Sequence, residues 1–365
     1  MKLALVYDRI NKFGGAERLL LSLHRLYPEA PIYTLVHEPK SSRWAEGIRV
    51  LPTFLNKMVF LRARHEWLAP IAPLAFETHD LSDFDIVISV TSSDAKSVVT
   101  KPNQLHICYC LTPTRYFWSG ESEYSTDKKF KLLPKFIKEY FRSVDLVTSQ
   151  RPDEYISISS EVRNRVKKYY KRNSQVVYPS IEEKFFTKTP ISLDKRDYYL
   201  VVSRLVPYKK VDLAISAFNR LGLPLVVIGT GSEEARLKKM AAYNISFVGA
   251  VEDRRLIEYY RHAQALVFPQ DEDFGLVPLE AQASGTPVIA FAKGGALETV
   301  IPNKTGYFFN DQSEESLANA VRQFEKKKFL PEDCVQNAER YNFHNFSSRF
   351  EAMINYYYDS YRQPF

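Results

Sequence analysis

Short runs of apolar residues alternate with helix-like patterns along most of this sequence, and that alternation limits the possible fold more than any other feature. The first run, 3-LALVY-7, is typical of a buried parallel strand, and the segment 11–27 after it turns through Gly14 and Gly15 into a helical pattern of leucines. Strands that alternate with helices indicate a parallel sheet with helices packed on it. The predicted strands of this first series are 3–7, 32–36, 85–90, 105–110, 144–150 and 175–179.

A second series of the same kind begins after a polar, proline-containing segment at 181–197. The chain of 365 residues also exceeds the roughly 250–300 residues at which a single core stops growing. We therefore predict the α/β class, with two doubly wound, Rossmann-like domains at 1–185 and 186–342, and an amphipathic C-terminal helix at 343–365. The predicted strands of the second series are 198–203, 223–229, 245–249, 264–269 and 286–291.

Composition is that of an ordinary globular protein, with 45% apolar and 25% charged residues. The three cysteines have the spacing of neither a disulfide framework nor a zinc site, which favours a reducing compartment. Asp8 interrupts the N-terminal apolar run too early for a signal peptide, and no apolar run reaches transmembrane length. We therefore expect a cytoplasmic protein.

Positive charge is concentrated in residues 126–173, which hold 13 Lys and Arg against 6 Asp and Glu, whereas the rest of the chain is balanced. A basic stripe such as 163-RNRVKKYYKR-172 can bind the phosphates of lipid headgroups, nucleotides or nucleic acid. The alternative interpretation is a solvated helical face. No helix-turn-helix, zinc or RNA-binding aromatic motif accompanies the stripe, so nucleic acid is not an expected partner.

Two cations follow the first strand of the second series, at the sheet edge where open α/β folds bind ligands. Arg204 and Lys209 lie in 202-VSRLVPYKKVDLAISAF-218, where a guanidinium and an ammonium can neutralise a diphosphate. Gly229 and Gly231 follow the next strand and permit a tight turn before a helix. Taken singly, the cations are as readily surface charges and the glycines as readily turn residues.

Two carboxylates, Glu272 and Glu280, stand eight residues apart in the later stretch 271-DEDFGLVPLEAQASG-285. Eight positions on one helix would span about 12 Å and return to nearly the same face. Such carboxylates are too far apart to share one proton, but they can bind two ends of an elongated ligand. The backbone amides of residues 274–276, at the predicted start of the helix, add a further anion site.

These motifs together resemble the retaining glycosyltransferases of family 4, the group 1 enzymes with the GT-B fold. The second-domain motifs are VSRLVPYKK at 202–210, the pair Glu272 and Glu280 with Phe274-Gly275-Leu276 between them, and ASGTPVIA at 283–290. The first-domain motifs are similar to bacterial O-antigen and exopolysaccharide mannosyltransferases: GGAE at 14–17, LHICYC at 105–110, TPTRY at 112–116 and VYP at 177–179. The resemblance covers nearly the whole chain.

The resemblance implies a role for each matching residue. Arg204 and Lys209 would bind the diphosphate of a nucleotide-sugar and stabilise the departing nucleotide, which is the role a metal ion has in other glycosyltransferases. Glu280 would accept hydrogen bonds from the ribose hydroxyls. Glu272 would contact the hydroxyls of the donor sugar. These implied roles make Arg204, Lys209 and Glu272 the candidate catalytic residues.

The remaining donor contacts would come from Phe274, Gly275 and Leu276 of the second domain and from Gly14 and Gly15 of the first. The resemblance implies that the two domains face each other across a cleft, with the glycine pair closing over the diphosphate and acceptor. The C-terminal helix would cross back to the first domain. Neither a metal ion nor a cofactor is expected, and anomeric configuration would be retained without a protein nucleophile.

The chain departs from the family at two positions. Close relatives carry a histidine where this sequence has Leu111, and often another where it has 91-TSSD-94. One hypothesis is that Leu111 faces the methyl group of a 6-deoxy sugar. The alternatives are an ordinary hexose such as mannose in a shifted pocket, or a catalytically silent module that still binds nucleotide-sugars.

The expected partners are a nucleotide-sugar, with GDP-mannose preferred, and a glycan or polyprenyl-diphosphate-linked acceptor of surface polysaccharide synthesis. The segment 54–76 mixes apolar and basic residues. It either contacts the cytoplasmic face of the inner membrane or contributes ordinary core helices. A GT-B epimerase is a rival hypothesis, distinguished by release of UDP without an acceptor. A phosphorylase is another, but the lysine context for pyridoxal phosphate is missing.

Overall fold

A computed structural model describes residues 1–62, 68–118, 134–186 and 197–362. The chain forms two compact units: unit 1 comprises 1–179 and 346–365, and unit 2 comprises 180–345. Parts of four predicted segments lie outside the described residues: 63–67 of the apolar and basic segment, 126–133 of the basic region, 187–196 of the interdomain segment, and 363–365 of the C-terminal helix.

Unit 1 is built on a seven-stranded sheet with the order β3-β2-β1-β4-β5-β6-β7. Every pair of neighbouring strands is parallel. The strands are β1 Leu3–Tyr7, β2 Ile32–Thr34, β3 Val50–Pro52, β4 Ile86–Thr91, β5 Leu105–Cys110, β6 Glu154–Ser157 and β7 Gln175–Val176. The helices are α1 Gly15–Leu26, α2 Val59–Arg62, α3 Ala72–Glu77, α4 Lys135–Thr148 and α5 Ser160–Arg165.

Unit 2 is built on a six-stranded parallel sheet with the order β10-β9-β8-β11-β12-β13. Its strands are β8 Tyr198–Val202, β9 Leu225–Ile228, β10 Ile245–Gly249, β11 Ala263–Phe268, β12 Val288–Phe291 and β13 Gly306–Phe309. Its helices are α6 Val211–Leu221, α7 Glu234–Met240, α8 Asp253–His262, α9 Leu276–Ala283, α10 Ala296–Thr299, α11 Glu314–Glu325 and α12 Pro331–Glu339. The predicted α/β class with two doubly wound sheets is confirmed.

Most predicted strands form, but one prediction was wrong and three strands were missed. The segment predicted as a strand at 144–150 is mainly the last turn of α4, where Asp145 is buried on the inner face of the helix. The strand of that region is β6, ten residues later along the chain. The strands β3 and β13 were not predicted either.

The helix α13, Phe343–Arg362, ends the described chain. Its buried side chains are Phe346, Phe350, Ile354 and Tyr357, spaced at three and four residues as on one helical face. The ring of Phe350 packs on that of Tyr109 in β5, with 5.3 Å between the ring centroids. This apolar stripe explains why residues 346–365 cluster with unit 1.

Each sheet has a point at which the strand order reverses. It lies between β1 and β4 in unit 1, and between β8 and β11 in unit 2. Ligands of open α/β sheets bind outside the carboxyl ends of the strands at such points, because the flanking loops diverge there. The loops after β8 and β11 are therefore where the fold of unit 2 favours a site. Among the described residues, no helix is both long and apolar enough to cross a membrane.

Candidate functional site

The loop after β8 carries Arg204 and Lys209 and is held in place by the loop after β9. Leu205 N donates to Thr230 O at 2.9 Å, which joins the two loops. A Cβ added to Gly229 or Gly231 would overlap the backbone of residues 203–205. The two glycines are thus required for close packing of these loops, which fixes the backbone on either side of Arg204.

The two cations of this loop have different surroundings. Arg204 is exposed, and its Nη2 donates to the Tyr208 hydroxyl at 2.5 Å. Lys209 is largely buried and forms an ion pair with Glu272 Oε1. Its Nζ also lies 5.2 Å from the centroid of the Tyr208 ring. Lys209, predicted to bind the diphosphate, thus pairs with Glu272, predicted to bind the sugar. The sequence did not predict this contact.

The loop after β11 carries Glu272, which does not lie on a helix. Helix α9 begins at Leu276 after Gly275, whose φ of 88° is in the left-handed region. The idea of two glutamates eight positions apart on one helix was therefore wrong. Gly295 N donates to Glu272 O at 2.8 Å, and a Cβ on Gly295 would overlap the backbone of Phe274. The sequence analysis did not predict this support.

Glu280 lies on α9 and is buried, with 6% of its surface exposed. Its Oε2 accepts a hydrogen bond from the hydroxyl of Tyr260 in α8, at 3.1 Å. Tyr260 is itself fully buried and thus holds the carboxylate in one orientation. A carboxylate with a fixed orientation is suited to accept further hydrogen bonds from a ligand hydroxyl.

The predicted residues fall into two groups. Unit 2 contains the four charged residues and the backbone of 274–276, on the loops and helix at its reversal point. Gly14 and Gly15 belong to unit 1, at the start of α1. A Cβ on Gly14 would stand 3.3 Å from Glu17 Oε2. The other carboxylate oxygen of Glu17, Oε1, accepts a hydrogen bond from the Tyr7 hydroxyl. The role of the glycine pair at the donor stays a prediction.

A buried ionic network in unit 1 was also missed by the sequence analysis. Lys96 Nζ lies 2.7 Å from Asp145 Oδ1, and both side chains are less than 5% exposed. Burial alone would lower the pKa of Lys96, but Asp145, Asp94 and Tyr155 together outweigh burial and raise that pKa. Burial also raises the pKa of nearby Asp94 to about 6. Asp94 lies in the segment 91–94, which the sequence analysis predicts to depart from the family that the chain resembles.

Two other sequence predictions concern cysteines and metal ions. Cys108, Cys110 and Cys334 are buried thiols outside any disulfide. Within the described ranges, no three His, Cys, Asp or Glu side chains are grouped so that they could hold a metal ion.

Comparison with known proteins adds to this geometry. The family model described as glycosyl transferases group 1 matches residues 186–341. Residues 186–341 are a group 1 glycosyl transferase domain. The described part of this domain includes Arg204, Lys209, Glu272 and Glu280, together with the loops that position them.

Two curated relatives of this group 1 domain protein are mannosyltransferases. The GDP-mannose-dependent alpha-(1-6)-phosphatidylinositol monomannoside mannosyltransferase of Mycobacterium tuberculosis is 35% identical over 147 residues, 35% of this chain and 38% of that protein. The O-antigen chain mannosyltransferase RfbU of Salmonella typhimurium is 27% identical over 230 residues, 59% of this chain and 60% of RfbU. The alignments therefore span less than two thirds of these relatives.

Solved structures resemble the chain over nearly its whole length. Sucrose-phosphate synthase from Thermosynechococcus elongatus has a TM-score of 0.76 at 16% identity, covering 99% of this chain and 100% of its own. Anabaena HepE in complex with UDP has a TM-score of 0.72 at 17% identity, covering 97% and 100%. These likenesses establish the GT-B fold.

Proposed function

We propose that this chain is a retaining hexosyltransferase that moves a sugar from a nucleotide-sugar to a glycan or lipid-linked acceptor of surface polysaccharide synthesis. The observation that carries the proposal is the placement of two cations and two carboxylates at the reversal point of the unit 2 sheet. Cations suit a diphosphate, and fixed carboxylates suit the hydroxyls at its two ends. No other grouping in the described residues matches a nucleotide-sugar as well.

The proposed donor is GDP-mannose. Support comes from the mycobacterial relative, which is named for its dependence on GDP-mannose, and from RfbU, named as a mannosyltransferase of O-antigen chains. The UDP bound to HepE supports a nucleotide-sugar donor in general and does not favour GDP. The acceptor is proposed to be a glycan, or a glycan linked to polyprenyl diphosphate.

In the proposed mechanism, charge develops on the nucleotide diphosphate as the glycosidic C–O bond breaks. Arg204 and Lys209 would neutralise that charge, which stabilises the transition state more than the ground state. Glu272 would hold the sugar, Glu280 the ribose, and the amides of 274–276 the phosphates. Because two side-chain cations carry the charge of the leaving group, the scheme requires neither a metal ion nor a cofactor.

We also propose that unit 1 contacts the cytoplasmic face of a membrane. Phe54, Val59 and Phe60 are each more than half exposed. The stretch 54–62 contains Lys57 and Arg62 but no carboxylate. Exposed apolar side chains with basic neighbours fit an anionic lipid surface, since the apolar groups insert while the cations meet the headgroups.

Sedimentation with vesicles tests the membrane contact. We expect binding to vesicles of anionic phospholipid at low salt, and much weaker binding to zwitterionic vesicles. Phe60→Ser should weaken binding. The matched control is Tyr243→Ser, because Tyr243 is 99% exposed but lies in unit 2. Equal binding of the two variants would refute this surface.

Thermal unfolding with GDP, UDP, dTDP and ADP tests the donor site. A nucleotide at a hundred times its Kd should stabilise the folded protein by about 2.7 kcal/mol. Lys209→Met should reduce this effect, whereas Lys239→Met, at an exposed position of α7, should not. Glu280→Gln is preferable to alanine, since it keeps an acceptor for the Tyr260 hydroxyl. The absence of any nucleotide response in the wild type would refute the proposal.

Turnover distinguishes the remaining alternatives. Release of GDP from GDP-mannose on addition of acceptor glycan is expected for the transferase. Binding without cleavage in a single turnover would indicate a silent module. Faster turnover with a 6-deoxy donor would favour the alternative donor suggested by Leu111, which is buried just after β5.

A further inference from the structure

Two buried hydrogen-bond acceptors without donors stand directly before Glu272. Gln270 is 1% exposed, and its Oε1 atom has no hydrogen-bond partner among the described residues. In the same part of the structure, the Oδ1 atom of Asp271 is also buried and unpartnered. Buried polar groups are nearly always hydrogen-bonded, so two successive exceptions require an explanation.

The orientation of the Gln270 amide is fixed by its neighbour. Its Nε2 donates to Glu272 Oε1 at 3.2 Å, the same oxygen that pairs with Lys209. Turning the amide over would place its oxygen against the carboxylate oxygen, and two acceptors repel each other. The unpartnered atom is therefore the carbonyl oxygen, and it requires a donor.

Asp271 has a similar imbalance. Its Oδ2 atom lies 3.1 Å from the Lys293 ammonium, which is mostly exposed. Its Oδ1 atom packs toward Gly294, where an added Cβ would clash with it. One carboxylate oxygen is thus paired at the surface and the other is directed inward without a donor.

The chemistry of these atoms selects the ligand group that would satisfy them. A phosphate offers only acceptors at neutral pH, so it cannot satisfy Gln270 Oε1 or Asp271 Oδ1. A sugar ring offers several hydroxyl donors in a small volume. The ribose and the base also carry donors, but Glu280 is proposed to hold the ribose, and Gln270 bonds to Glu272, which is proposed to hold the sugar. The hydroxyls of the transferred sugar are therefore the donors that best fit the stretch 270–272.

We propose that Gln270, with Asp271 beside it, accepts hydrogen bonds from the hydroxyls of the donor sugar and determines which sugar is used. This inference rests on the proposed function, because it assumes a nucleotide-sugar in unit 2. It adds two residues to the predicted set, in which Glu272 alone contacts the sugar. It also separates the site into a cationic part for phosphate and an acceptor-rich part for sugar.

The test compares the affinity for a nucleotide with that for the same nucleotide bearing a sugar, by calorimetry. The probes are GDP with GDP-mannose and UDP with UDP-glucose, whichever pair binds the wild type. Gln270→Met keeps the volume but removes the acceptor. This variant should bind the nucleotide-sugar about three- to tenfold more weakly, the factor expected for the loss of one hydrogen bond. Its affinity for the nucleotide alone should be unchanged.

Deoxy donors separate direct contact from an effect through Glu272. We expect one of the 2-, 3-, 4- or 6-deoxy forms of the donor to bind the wild type more weakly than the parent. The Gln270→Met variant should bind that deoxy donor as tightly as the full donor, because the acceptor that the missing hydroxyl would contact is already absent. If every deoxy form loses the same factor in both proteins, Gln270 only positions Glu272 and the proposal is overturned.

Gln282→Met is the matched control. Gln282 is also buried, but its Nε2 donates to Pro278 O and Thr299 O, and its Oε1 accepts from Asn337. This variant should lower the melting temperature without altering the ratio of the two affinities. Gln270→Met removes one long hydrogen bond to Glu272 along with the unsatisfied acceptor, so it should lower the melting temperature less than Gln282→Met, which loses three hydrogen bonds. A wild type that binds no nucleotide would refute the proposed function itself, whereas binding with an unchanged ratio in Gln270→Met would refute only this inference.

Discussion

The buried pair of Lys96 and Asp145 should show a strong asymmetry when either partner is replaced. Asp145 has four hydrogen-bond donors: Lys96, the hydroxyls of Thr114 and Tyr170, and the indole of Trp118, at 2.6–2.9 Å. Lys96 has only the Asp145 carboxylate and one backbone carbonyl. Removing the carboxylate therefore leaves more groups unsatisfied than removing the ammonium.

The structure gives the size of each effect. Asp145→Asn removes the carboxylate that pairs directly with the buried ammonium and leaves it only the weaker charge interaction with Asp94. The single amide oxygen of the asparagine also cannot serve both pairs of donors. We expect a loss of about 3–5 kcal/mol in the free energy of unfolding. Lys96→Met leaves Asp145 with three neutral donors, so the loss should be that of one charged hydrogen bond, about 1.5–3 kcal/mol.

Urea unfolding followed by tryptophan fluorescence measures both effects. All three tryptophans lie within residues 1–179, so the signal reports on unit 1. With an m value of about 2 kcal/mol/M, the midpoint should fall by about 1.5–2.5 M for Asp145→Asn and by about 0.75–1.5 M for Lys96→Met. The double variant should be more stable than Asp145→Asn, since no charge is then left unpaired. A larger loss for Lys96→Met, or no recovery in the double variant, would refute the reasoning.

Three further predictions concern stability and binding. Burial raises the pKa of Asp94 to about 6, so unit 1 should lose stability as pH rises from about 4 through 6. In urea unfolding, the stability of Asp94→Asn relative to the wild type should therefore increase between pH 4.5 and 7.5. Phe350→Ala removes a fully buried ring and should cost about 3–5 kcal/mol in the same assay, while an unchanged midpoint would contradict the packing of α13. Gly229→Ala should displace the Arg204 loop and weaken nucleotide stabilisation in thermal unfolding, whereas Gly222→Ala, which meets no neighbour, should lower stability alone.

Sequence patterns predicted the architecture because both sheets are parallel and buried. Their central strands are continuous apolar runs, and β1, β5 and β10 form at the predicted residues. The three missed strands are only three or four residues long. β2 is no longer, but it lies within the longer run 32-IYTLV-36, whereas β3 ends at Pro52 and β6 begins at Glu154, directly after Pro152 and Asp153.

The wrong strand at 144–150 has a different cause. Its β-branched and apolar residues favour a strand locally, but tertiary contacts determine the outcome. Asp145 must face the interior to reach Lys96, and a helix places it there together with Thr148. The burial of a charged residue in an ion pair depends on a partner 49 residues away, which no local pattern indicates.

The candidate site divides in the same way. Loop positions and residue types predicted that Arg204, Lys209 and Glu280 lie at one edge of the sheet. In the structure, Arg204 and Lys209 follow β8, and Glu280 lies on α9. The sequence could not indicate that Lys209 pairs with Glu272, or that Gln270 Oε1 has no donor. Those facts depend on side-chain geometry, in which a rotation of one bond changes the partner.

Each loop of the site in unit 2 is anchored by one apolar side chain. Leu205 is fully buried in the core beside Arg204, and Phe274 is buried two residues after Glu272, with its ring near that of Tyr341. The anchors lie in the core, whereas the polar residues beside Phe274 belong to the loop. Laboratory evolution toward another donor sugar could therefore vary Gln270, Asp271 and Asp273 while keeping Phe274 as the anchor and Glu272 as the partner of Lys209.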